Sequence, residues 1–103
     1  MLSIRFDQDH EWWVAGQTFD RLFRASLDSG VMRADLERWW HTANAGGGLS
    51  LEMLDPTEAQ ALTAALRTTA ERELAALGEV DPATPDGSYQ VGLRRLLEQL
   101  GSG

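Results

Sequence analysis

His10 and His41 are the side chains best suited to move a proton or ligate a metal near neutral pH, and each adjoins a pair of tryptophans. His10 stands in Asp7-Gln8-Asp9-His10-Glu11, directly ahead of Trp12-Trp13, while His41 follows Trp39-Trp40. A metal at His10 would draw on Asp7, Asp9 or Glu11 as further donors. The spacing does not support one: there is no histidine pair at i, i+4 and no His-Glu-x-x-His. The acidic run opens like a calcium loop but lacks the loop's glycine and its acid at the twelfth position. Gly46-Gly47-Gly48 has no Lys-Ser/Thr after it, so it reads as a tight connection rather than a phosphate cradle. Ser3, Ser26, Ser29, Ser50, Ser88 and Ser102 all lie outside a nucleophile elbow, and the absence of cysteine removes thiolate chemistry and disulfides. The expectation is therefore no catalytic, metal or cofactor-binding residue and no cofactor.

Side chains suited to recognition are more plentiful. Four tryptophans occur as the adjacent pairs Trp12-Trp13 and Trp39-Trp40, and a partly exposed tryptophan is a common anchor at protein interfaces. On a helix, neighbours point about 100° apart, which would turn Trp12 to the core and leave Trp13 on the flank. Trp39 and Trp40 both border the stripe that contains Leu36.

Charge is the second recognition signal. The formal net charge is −7, and residues 49–87 carry −6 of it: Glu52, Asp55, Glu58, Glu71, Glu73, Glu79, Asp81 and Asp86 against Arg67 and Arg72. Such a field disfavours phosphate backbones and suits either a basic partner or simple solubility. Arg94-Arg95 is the only basic doublet. All nine basic residues are Arg and none is Lys, a preference that tracks GC-rich codons and points to a bacterium or its phage.

The elements that must position these residues follow from periodicity. The whole chain, 1–103, is expected to be one domain. Apolar alternation gives two short strands near 2–6 and 49–54, expected to pair. Trp12, Ala15, Phe19, Leu22, Phe23 and Leu27 recur at three and four, favouring one helix from Asp9 to Asp28. The alternative is a break at Gly16, with Glu11–Ala15 as another strand and the helix starting at Gln17. A second helix covers Arg33 to Asn44. In Asp55-Pro56-Thr57-Glu58 the aspartate is placed to cap a third helix that runs to Leu77, and Glu58 to reach back to the capping residue's amide. Ser88 is expected to cap a fourth, striped by Tyr89, Leu93, Leu96, Leu97 and Leu100, before a flexible end at 101–103. The fold class expected is α+β and predominantly helical, with the outline of two strand–helix–helix halves.

No apolar run reaches the length of a membrane span, the start lacks the shape of a secretory signal, and the cysteine-free composition fits the cytoplasm. The first functional expectation is a non-enzymatic protein-binding module, a small acidic protein docking on a basic surface of a protein partner. Immunity proteins, antitoxins and inhibitors have that character of size and charge. Its contact residues would come from Trp13, Trp39, Trp40, Glu71, Glu73, Glu79 and Asp81, with neither nucleic acid nor membrane as partner. One alternative is self-association through a tryptophan-lined homodimer interface. Another is a small ligand-binding domain or enzyme built on the acidic cluster at His10.

Overall fold

Leu2 and Ile4 alternate with Ser3 and Arg5, and that period of two makes the first strand the hub of the sheet. The computed structural model describes residues 1–101. The chain runs β1 (Leu2–Arg5), β2 (Glu11–Val14), α1 (Gly16–Asp28), α2 (Glu37–Gly46), β3 (Gly48–Ser50), α3 (Pro56–Leu77) and α4 (Pro85–Gln99). Single 3-10 turns at Ala34–Leu36 and Leu51–Met53 lead into α2 and α3. Four α-helices and a three-stranded sheet make this a predominantly helical α+β fold. The strand order is β2-β1-β3, with β1 antiparallel to β2 and parallel to β3. The expected pairing of the strands near 2–6 and 49–54 is thus present, as Ile4 opposite Leu49. Of the expected tail at 101–103, residues 102 and 103 lie outside the described residues.

The long helix from Asp9 to Asp28 is not formed. Residues 11–14 are a strand, and α1 begins at Gly16, which is the break weighed as the alternative. Trp-Trp-Val combines aromatic and β-branched side chains that suit a pleated surface, and pairing with β1 satisfies the backbone groups that the two strands turn toward each other. The turn between them closes as the Phe6 amide donates to the His10 carbonyl at 2.9 Å. A third strand also breaks the symmetry of two strand–helix–helix halves.

The strand expected over 49–54 ends at Ser50. Beyond it the 3-10 turn places Leu51 and Leu54, three apart, in the core and leaves Met53 exposed. The α3 cap also differs: Asp55 makes no side-chain capping bond, and Glu58 is drawn away to Arg38 and Trp39. Helix α4 starts three residues before Ser88, because Thr84 caps it by accepting from the Gly87 amide at 3.1 Å, with Pro85 at its first position.

One face of the sheet (Leu2, Ile4, Trp12, Val14, Leu49) shares a single core with Phe19, Leu22, Leu62, Leu66, Leu93 and Leu96 of α1, α3 and α4. Inside it, Ser26 Oγ on α1 donates to Thr69 Oγ1 on α3 at 2.7 Å, so both buried hydroxyls are engaged. The glycine run is a tight connection, as expected, with Gly47 capping α2. Gly48 lies so close to β1 that a Cβ there would sit 2.3 Å from the Ser3 carbonyl oxygen, a backbone atom that has no room to yield. Gly48→Ala should therefore cost at least ~2 kcal/mol in urea unfolding, by forcing β3 off β1. A midpoint equal to wild type would show that the strands are not held at this distance.

Candidate protein-binding surface

Each tryptophan has a place that follows from the element carrying it. On β2 successive side chains alternate between faces, so Trp12 points into the core and Trp13 points out. Trp12 is 1% exposed, and its indole Nε1 donates to the Gly92 carbonyl of α4 at 3.0 Å. Gly92 permits this close contact of α4 with α1: a Cβ there would lie 2.8 Å from Thr18 Cγ2. Trp13, by contrast, is 55% exposed, and among the described residues its indole nitrogen has no acceptor.

Trp39 and Trp40 are half-buried brackets that tie α2 to its neighbours. Trp39 Nε1 donates to Glu58 Oε2 on α3 at 2.9 Å, and Arg38 both pairs with Glu58 and lies over the Trp39 ring. Trp40 stacks on Phe23 of α1 with centroids 5.7 Å apart, and its Nε1 donates to Asp20 Oδ1 at 2.6 Å. Asn44 Nδ2 donates to the same carboxylate oxygen at 3.1 Å. His41 stacks against Trp40 and approaches Glu37 on the surface of α2.

His10 sits in the exposed β1–β2 turn, where its Nδ1 lies 2.7 Å from Asp7 Oδ1 and 2.9 Å from Oδ2. That bond, helped by the Asp9 amide at 2.8 Å, holds the Asp7 carboxyl below the usual aspartate range. Among the described residues no group of three His, Cys, Asp or Glu side chains is disposed to hold a metal ion.

The acids of 49–87 divide in the same way. Glu71 and Glu79 are exposed. Glu73 instead accepts from the buried Tyr89 hydroxyl at 2.9 Å, tying α3 to α4. Arg21 of α1 lies 4.0 Å from the centre of the Tyr89 ring and pairs with Asp86 at 2.8 Å. Asp81 shapes the loop before α4: its Oδ1 accepts the Ala83 amide at 2.9 Å, and its carbonyl accepts the Thr84 hydroxyl at 2.7 Å. The strongly charged segment is therefore partly a set of internal fastenings.

Around Trp13 the surface changes character. Met1, Trp13 and Val91, exposed by 81%, 55% and 40%, border one shallow groove of about 260 Å³ between β2 and α4, with Pro82, Ser88 and Arg95. A second groove, of about 300 Å³, lies on the other side, bordered by Glu11, Arg95 and Glu98. Trp13 and Arg95 border both. Sequence reasoning reached Trp13 but not Met1, Val91 or Arg95 as its companions. Val91 was open to inference as the apolar residue of α4 off the leucine stripe, and Arg95 as half of the basic doublet.

Burial, and then the hydrogen bond to Glu73, push the Tyr89 hydroxyl far above its ordinary value of about 10. A raised pKa means that the folded state holds this proton more tightly than the unfolded chain does. Its contribution is whole below pH 10 and is lost as pH rises from there through the folded value. Tyr89 is the single tyrosine and the chain has no lysine, so between roughly pH 10 and 12 the loss of stability should come from this side chain, which ionises in the unfolded chain before it does in the folded one. Tyr89→Phe should cost about 1 kcal/mol at neutral pH, and the deficit should shrink or reverse as pH climbs past 10. Urea unfolding of both proteins against pH tests this, and parallel profiles would contradict it. No known protein family, curated protein or solved structure matches this chain.

Proposed function

We propose that this chain is a non-enzymatic protein-binding module that docks on its partner through the surface centred on Trp13. The observation that carries this reading is the contrast among the tryptophans. Three have their indole N–H spent on contacts within the fold, whereas Trp13 stands out beside Met1 and Val91, without an acceptor among the described residues. Among the described residues, three of the four large apolar side chains exposed on the surface border this one groove. A rigid aromatic ridge with shallow grooves on both sides is the kind of feature that becomes an energetic centre when a partner excludes water from it.

Charge supports a protein with a basic rim as that partner. The net charge of −7 would steer such a partner from a distance. Glu11 and Glu98 border the second groove, and Asp81 precedes Pro82 of the first, so the apolar centre has acids at its edge. Arg95, without a carboxylate partner among the described residues, would add one donor fork for an acidic residue of the partner. Trp39, Trp40 and Glu73, each considered a contact from sequence, are assigned here to internal support instead. Among the described residues no helix is long and apolar enough to cross a membrane. The reading places the protein in the cytoplasm, in keeping with a cysteine-free chain.

Tagged protein used as bait in a lysate of its source organism should retain one stoichiometric partner. Trp13→Ala should weaken the purified complex by roughly thirtyfold or more with the thermal midpoint unchanged, as expected for a hot-spot side chain that supports nothing in the core. Glu71→Lys with Glu79→Lys should mainly slow association, and less so at high salt. A partner held equally well by Trp13→Ala would overturn the proposal. A concentration-dependent dimer in light scattering, abolished by Trp13→Ala, would assign the surface to a second copy of the chain.

A further inference from the structure

On the opposite flank of the sheet from Trp13, the strand order β2-β1-β3 leaves Phe6 and Leu51 facing the start of α3. They border an open groove of about 360 Å³ whose far wall is Ala59, Thr63, Ala64 and Arg67. The groove shares no lining residue with the Trp13 surface. Its walls are mostly apolar, and its one charged residue is Arg67. Among the described residues no carboxylate pairs with Arg67. Its Nη2 donates to the Leu100 carbonyl at 2.6 Å, and its Nε is buried with no acceptor. A partly buried guanidinium whose bond within the fold is to a neutral oxygen favours an anion such as a carboxylate.

We propose that this groove binds an apolar monocarboxylate, with its tail along Phe6, Leu51 and Ala59 and its carboxylate on the Arg67 guanidinium. The volume suits a ligand of about ten non-hydrogen atoms and lies at the small end of ligand sites. So small and open a site implies weak binding, in the range of about 0.1 to 1 mM. A free acid and a polypeptide chain end both supply such a carboxylate, and the two share this chemistry.

Octanoate titrated into 15N-labelled protein at neutral pH and low salt should give saturable shifts confined to the amides of residues 6, 51 and 59–67. Octanol, with the same tail and no charge, should bind about tenfold more weakly. Arg67→Gln should bring octanoate down to the level of octanol while leaving octanol unchanged, a result that a merely unfolded variant would not give. Should that variant fail to fold, Ala64→Leu, which narrows the groove from an exposed position, should block both ligands. Acetyl-Leu-Leu with a free carboxylate, run against its amide, tests the chain-end source. A carboxylate preference in either series supports the site, and the tighter series identifies the source. Equal binding of octanoate and octanol, or shifts scattered away from this groove at about 10 mM ligand, would overturn the proposal.

Discussion

The fold turns on the Trp12 side chain. It leaves β2, the edge of the sheet, and reaches a carbonyl of α4 that lies eighty residues further along the chain. With only 1% of its surface exposed, it is the largest fully buried side chain among the described residues, and it joins the N-terminal hairpin to the last helix with its indole N–H satisfied as well. Strand geometry then dictates what happens to its neighbour. Once Trp12 is inside, Trp13 must be outside, beside the α4 surface that Trp12 has drawn in. The exposed aromatic is a consequence of the buried one.

A similar economy governs the charges. The chain carries a large acidic excess, and several of those acids are placed where a donor from another element needs an acceptor: Glu58 for Trp39, Asp20 for Trp40, Glu73 for Tyr89 and Asp86 for Arg21. These bonds run between helices, and they fix how α1, α2, α3 and α4 are rotated against one another at their partly exposed margins. Exposed ion pairs contribute little to stability, but a half-buried indole or phenol left without an acceptor is destabilising. Acids of this kind serve the fold first, and the field they leave around it is available for steering.

Much of this was legible in the sequence, in proportion to how local the cause was. Proline at position 56, the leucine and alanine stripe of α3 and the glycine stops are local signals, and the corresponding elements appear where expected. Residues 9–16 were misread because Trp12, Ala15 and Phe19 fit a helical period as well as Trp12 and Val14 fit a strand period. Only the pairing of Leu2–Arg5 with Glu11–Val14 decides between them. The exposure of Trp13 was anticipated on helical reasoning and holds for a different reason, the alternation of a strand. Val91, Arg95 and Met1 could not be joined to it beforehand, since they share a surface only after α4 docks beside β2.

The division of the tryptophans into three that hold the fold and one that faces outward is the claim on which the functional reading rests. Hydrogen exchange of the four indole N–H groups, followed by NMR on the free protein, tests it directly. Trp12, Trp39 and Trp40 should be protected by their acceptors, Trp12 most strongly, while Trp13 exchanges at close to the rate of free indole. Protection of Trp13 comparable with that of the others, or Trp39 and Trp40 exchanging as fast as Trp13, would contradict it.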